Sequence, residues 1–260
     1  MSLSVRSPRI GFDRFIALDW VATAMRVRAG LEDKKRLLSQ LESAELTPSA
    51  IKKTLTLLNR QWLAPRADMA AFCDRGAAAW TKAQQTHPES VAWGVTVVAY
   101  PFFAKVAEVI GRLTAIQGDC RSSDVHRRIA EVYGQRDAIR RATNAVLQTQ
   151  AEWGLIYRQA RGQRIVRRDP VCLTDERMSG WLVEAGLRHA GKALPAASVA
   201  SQSVLFPFVL AQPLAMLLPY APELELRCQG AGEQFICVRD RVLPVQIQHV
   251  AAPKFISGVP

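Results

Sequence analysis

The sequence predicts a mainly α chain in three parts. Residues 1–88 form a helical N-terminal domain. Residues 89–170 form a central winged helix-turn-helix with a two-stranded wing. Residues 171–260 form an α+β domain ending in a β-hairpin and an extended tail. Three observations carry this reading. Apolar residues recur at helical spacing through the first 117 residues, with Pro and Gly between the runs. A short helix, a Gly turn, a longer helix and two strand-forming runs follow between 124 and 168. Near the C-terminus, residues 224–228 and 235–239 alternate apolar and polar side chains across a Gly-containing loop.

The elements follow in order. Residues 13–29 are dense in apolar side chains, and Gly30 can stop a helix there. A second helix covers 32–43, with Leu37, Leu38 and Leu41 on one side. Thr47 and Pro48 read as a cap and first helical residue. The helix that follows runs to Leu63, with Ile51, Leu55, Leu58 and Trp62 as its apolar stripe. This pair has a helix-turn-helix rhythm, and Lys52, Lys53 and Arg60 lie off the stripe as candidate nucleic-acid contacts. No strand-forming wing follows, so a structural helical hairpin is the favoured reading there. An Ala-rich helix spans 66–84, and a long apolar helical region spans 89–117 with a break at Pro101.

In the middle segment Ser122, Ser123 and Asp124 offer a cap. A short helix over 124–133 presents Val125, Ile129 and Val132. Gly134, Gln135 and Arg136 make the turn. The second helix covers 137–153, with Ile139, Ala142, Val146 and Trp153 inward. Strands are expected at 155–157 and 165–166, joined by a basic loop around Gly162. In the last third a helix spans 175–190, a shorter one 196–203, and 205–210 is extended.

The chain has 260 residues, 49% hydrophobic, so disorder is not expected. No apolar run reaches the roughly 18 uncharged residues of a membrane span; residues 203–218 come nearest and are interrupted by Pro207 and Pro213. The basic N-terminus lacks the apolar core of a secretory signal. Five scattered cysteines without a CxxC fit a reducing cytoplasm better than a disulfide framework or a zinc site. A cytoplasmic protein without a membrane partner is therefore expected.

The net charge is +11. Residues 119–170 contribute +5 of it, residues 1–118 contribute +6, and residues 171–260 contribute none. Every cation of the middle segment is Arg. Ten of the eleven fall in three clusters: Arg127 with Arg128, Arg136 with Arg140 and Arg141, and the run Arg158, Arg161, Arg164, Arg167 and Arg168. Arg presents a planar fork suited to phosphate and to guanine edges. A helix lying in the major groove needs polar side chains on its outer face, and here that face carries Arg136, Arg140, Arg141, Thr143, Asn144 and Gln148. Arg158, Arg161 and Arg164 in the wing suit adjacent phosphates or the minor groove, and backbone N–H groups near Ser122 and Ser123 suit phosphate as well. The alternative is a solvated basic face, or a winged helix used to bind protein.

Enzyme signatures are absent. His87, His126, His189 and His249 stand apart without a metal-type partner at i+3 or i+4. There is no phosphate-binding Gly loop, no HExxH and no GxSxG. No catalytic residue, cofactor or metal is expected. His126 reads as a partly exposed surface residue, with phosphate contact the alternative. Cys120 beside Arg121 admits a lowered thiol pKa, but an inert loop cysteine is the preferred reading.

The stretches LTPSAIKKTLTLLNRQWL at 46–63, AWGVTVVAYPFFAKVAEVIGRL at 92–113 and VHRRIAEVYGQRDAIRRATNAVLQTQAEWGLIY at 125–157 together resemble the BrxA family of the bacterial BREX phage-defence systems. The resemblance spans roughly residues 12–168 and consists of helical blocks and aromatic positions. It implies an all-helical protein with winged-helix elements, double-stranded DNA binding and no known cofactor. The leading expectation is thus a non-enzymatic DNA-binding accessory protein of an anti-phage system. The alternatives are a scaffold that contacts other defence proteins and a winged-helix transcriptional regulator.

Overall fold

A computed structural model describes residues 10–229 and 233–239. The chain is mainly helical, with eleven α-helices and eight short strands among the described residues. The expected extended tail at 244–260 and the basic N-terminal residues 1–9 lie outside them.

The N-terminal half is built from α1 (Leu18–Arg28), α2 (Lys34–Ser43), α3 (Pro48–Leu58), α4 (Ala67–Lys82), α5 (Pro88–Ala99) and α6 (Pro101–Leu113). Caps explain several boundaries. The Asp33 carboxylate accepts from the Lys35 N–H at 2.8 Å, and the Thr47 hydroxyl accepts from Ala50. Pro occupies the first turn of α3, α5 and α6, where a missing N–H costs no helical bond.

Two helical expectations need correction. The first helix begins at Leu18, not at residue 13. Phe12 and Ile16 precede it as a buried arm. The Trp153 indole donates to the Ile16 carbonyl at 3.0 Å, and the Ile16 N–H donates to the Thr149 hydroxyl at 3.1 Å. These bonds take the arm out of helical geometry. In α3 the buried side is Thr54, Leu57 and Leu58, while Ile51 and Leu55 are only partly covered. A π-helical turn over Asn59–Leu63 follows and carries buried Gln61 and Trp62. The Gln61 amide donates to Thr96 of α5 at 2.8 Å.

α5 is the central helix: Trp93, Val95, Thr96 and Val97 are all buried. It meets α9 (Glu176–Ala190) through Trp181. Gly94 and Gly76 have no Cβ, so the Trp181 ring lies directly against both backbones; a Cβ at Gly76 would be 2.6 Å from Cζ2 of Trp181. Trp181 stacks on Phe72 with centroids 4.5 Å apart, and its indole donates to the Phe72 carbonyl. α9 is capped by Asp175 and ended by Gly191. The main core runs without a gap from Phe12 to Phe208, across positions 88/89 and 170/171.

α5 and α6 are bent by 117° at Pro101. Together they match a membrane span in length and composition, but both are largely buried in the core. No single described helix is long and apolar enough to cross a membrane.

After α6 come β1 (Asp119–Arg121), α7 (Ser122–Tyr133), α8 (Asp137–Glu152), β2 (Ile156–Gln159) and β3 (Arg164–Arg167). The three strands form an antiparallel sheet in the order β1-β3-β2. β1 was not expected from the sequence. Its register sets Asp119 opposite Val166 and Arg121 opposite Arg164. α7 consequently starts at Ser122, with Arg121 at its cap and no side-chain cap bond. The Ser122 N–H is satisfied by the Gln163 carbonyl at 2.8 Å.

Beyond α9, β4 (Val171–Leu173) pairs in parallel with β6 (Phe208–Leu210). Pro207 adjoins this two-stranded edge, where no ladder N–H is required of it. β7 (Leu224–Gln229) and β8 (Glu233–Val238) form the expected hairpin, and β5 (Leu194–Pro195) adds a third strand. α10 (Ala196–Val199) and α11 (Leu214–Leu217) are single turns, the first shorter than expected. A second small core of Val183, Leu187, Val199, Leu224 and Ile236 lies under this sheet.

Candidate nucleic-acid interface

The segment from α7 to β3 shares one buried interior. α7 contributes Val125, Ile129 and Tyr133, α8 contributes Ile139, Ala142 and Val146, and the strands contribute Ile156 and Ile165. Val132, expected inside, is 48% exposed. Its place is taken by Tyr133, which meets Phe102 of α6 edge-on at 4.9 Å. A four-residue step from Ile129 keeps Tyr133 in line with Val125. Gly134, at φ +86, ends α7 and turns the chain into α8.

The outer side of α8 presents Arg140, Arg141 and Gln148 to solvent, with Asn144 half-buried between them. Thr143 is not part of this face. It is fully buried and its hydroxyl donates to the Ile139 carbonyl at 2.9 Å. Arg140 lies 3.7 Å from Asp137, one turn earlier. Arg141 has no ion pair among the described residues. Arg136 donates to the Tyr133 carbonyl across the turn. On α7, Arg127 pairs with Asp124 and Glu131, and Arg128 pairs with Glu131. These two arginines are therefore partly neutralised within their own helix.

The β2–β3 loop contains a tight turn over Ala160–Gly162. Ala160, Arg161 and Gly162 have φ values of 48°, 55° and 84°, three left-handed residues in a row. Only Gly adopts this conformation without cost. Arg161 is exposed at the tip, and Arg164 is held by Asp119 with Nε donating at 2.7 Å. Arg158 is half-buried; its Nε is buried with no hydrogen-bond partner among the described residues. Burial holds its pKa below the usual arginine range. Two further arginines are occupied structurally: Arg167 donates to the Phe206 carbonyl, and Arg168 lies 4.4 Å over the Tyr157 ring.

The fold gathers these groups into two clefts. The larger, about 1190 Å³, opens between β1, the start of α7 and the β2–β3 loop, and takes in Arg158, Arg161, Arg164 and Asn144. The smaller, about 360 Å³, lies between α7 and α8 and takes in Arg127, Arg136 and Arg140. His126 lines the smaller cleft and faces Asn144 across 3.3 Å. Burial lowers the His126 pKa; the Asn144 bond opposes this, and the charges of Arg140 and Arg158 add to it. Arg128, Arg141 and Gln148 line neither cleft. Lys52 and Lys53 are exposed on α3, also outside both.

Sequence reading missed Arg121, the one arginine of the segment outside the clusters. It lines the larger cleft because β1 sets it opposite Arg164. A three-residue strand has no alternation to reveal it. Cys120 carries no activated thiol: burial, with Asp124 and Asp119 adding, pushes its pKa up to about 11. No group of three or more His, Cys, Asp or Glu side chains fit to hold a metal ion occurs among the described residues. No protein-family model matches the chain, and no curated protein or solved structure matches it significantly.

Proposed function

We propose that the chain is a non-enzymatic protein that binds double-stranded DNA through a winged helix-turn-helix, with α8 entering the major groove and the β2–β3 hairpin acting as the wing. One observation carries this reading. Arg141, Arg158 and Arg161, on the outer side of α8 and in the adjacent hairpin, have no acidic partner among the described residues. Arg158 and Arg161 share the larger cleft, and cations left unpaired beside one another are the footprint of a polyanion. Asn144 and Gln148 beside Arg140 and Arg141 supply the side-chain types that read base edges. The sequence resemblance to BrxA supports a place in a BREX-type anti-phage system, as a DNA-binding accessory factor.

An electrophoretic shift with the full chain and duplex DNA tests the assignment. Arg140→Ala with Arg141→Ala should weaken binding by tenfold or more, at about 1.4 kcal/mol per tenfold. An unchanged shift would remove α8 from the interface.

A second reading, a scaffold that holds other defence proteins, is favoured by the exposed apolar side chains Val209, Met216 and Leu226 in the charge-neutral C-terminal part. Stable co-purification with protein partners, without DNA binding at physiological salt, would support it over the first.

A further inference from the structure

The larger cleft holds more than the groove-reading face needs. β1 and β3 place Arg121 and Arg164 directly opposite each other. Like charges in that position repel. Asp119 relieves Arg164 only, and the other acid on the wall, Asp124, lies beside Arg127. Arg121, Arg158 and Arg161 face the same cleft without an acidic partner among the described residues. The remaining polar wall includes the Ser123 hydroxyl, the Asn144 amide and the first turn of α7. At this helix start the Ser122 N–H is already taken by the Gln163 carbonyl, and the N–H groups of the rest of the first turn point outward. Arg158 lines the cleft with its Nε buried and without a hydrogen-bond partner among the described residues. Three guanidinium forks, a hydroxyl and a helix start suit an oxyanion, phosphate among them, better than a neutral ligand.

We propose that this cleft is a phosphate-binding site, adjoining the base-reading side of α8 at Asn144, in which Arg121, Arg158 and Arg161 seat backbone phosphates of the bound strand. The identification of the strand rests on the DNA-binding reading above; the phosphate chemistry of the cleft does not. Arg158 is the interior contact, Arg121 the contact from the β1 wall, and Arg161 the contact from the loop tip. Asp119 holds Arg164 against the sheet and fixes the wall on which Arg121 stands.

The test is the salt dependence of binding. Each phosphate neutralised contributes about 0.9 to the slope of log K against log salt. On two unrelated duplexes, Arg121→Ala should reduce the slope by about one, and Arg121→Ala with Arg158→Ala by about two, with equal losses on both sequences. Arg121 is exposed, so its single variant keeps the test valid if the double variant melts. A slope unchanged in Arg121→Ala, with wild type binding duplex, would overturn the cleft site and leave the α8 reading intact. Inorganic pyrophosphate, titrated calorimetrically into the full chain, separates the sources of phosphate. Pyrophosphate binding that Arg121→Ala weakens, with no duplex binding, would keep the cleft as a phosphate site and overturn the strand as its ligand. Binding of neither would overturn both.

Discussion

The guanidinium of Arg158 lies against the backbone of Gly162, so close that a Cβ at position 162 would stand 2.7 Å from its Nη2. Gly162 also sits at φ +84. One residue therefore closes the loop and sets where the interior arginine of the cleft can rest.

Gly162→Ala should act twice. The left-handed backbone costs roughly 1–2 kcal/mol for a residue with a Cβ, and the new methyl displaces Arg158. Gly118→Ala is the control, because φ is +75 there and nothing lies within 4 Å of the added Cβ. Urea melts should show similar losses for both. Duplex affinity should fall in Gly162→Ala alone; equal affinities would separate Arg158 from binding.

Trp181→Ala should destabilise the fold by about 3–5 kcal/mol. The ring is 5% exposed, stacks on Phe72 and fills the space left by Gly76 and Gly94. Chemical denaturation measures this loss directly. A cost below about 1 kcal/mol would mean that α5 and α9 do not meet through this ring.

Acid should weaken the fold before the carboxylates titrate. Burial lowers the pKa of both His126 and His189 from the ordinary 6.5. The unfolded chain then binds more protons than the native chain just below pH 6.5. Stability from these two groups is full above 6.5 and is lost as pH falls through 6.5 toward the native values. His189→Gln should flatten the dependence of the urea midpoint between pH 7.5 and 5.5. A midpoint that rises on acidification, equally in wild type and variant, would contradict the sign.

Thiol reactivity should divide by burial. Cys73 is buried and its thiol is pushed up to about 12, chiefly by desolvation. Cys172 and Cys228 are exposed. Iodoacetamide at neutral pH should label these two in the native protein, and Cys73 only after denaturation. Peptide mass mapping checks this, and native labelling of Cys73 would show that α4 opens.

Local signals account for what was legible in the sequence. Asp175 and Gly191 bound α9, Pro101 breaks the apolar helices, and Gly134 turns α7 into α8. Each acts within a few residues of itself, so each can be read in one dimension. β1 and β4 could not be read this way. Asp119 pairs with Val166 and Val171 with Phe208, so both short strands are set by distant partners. The buried side of α3 differed because the π-turn at Asn59–Leu63 and the Gln61–Thr96 bond belong to tertiary packing. The arginines at 158, 161 and 164 stood out because they cluster around Gly162. Arg121 stands alone in sequence and enters the cleft only through the register of β1 against β3.

Equilibrium binding of the full chain to a duplex of arbitrary sequence, across a salt titration, tests the central claim most directly. With Arg121, Arg158 and Arg161 on phosphates, log K should fall linearly with log salt at a slope no shallower than about −2.7. Absence of binding at low salt, or binding indifferent to salt, would contradict the assignment of this basic face to DNA.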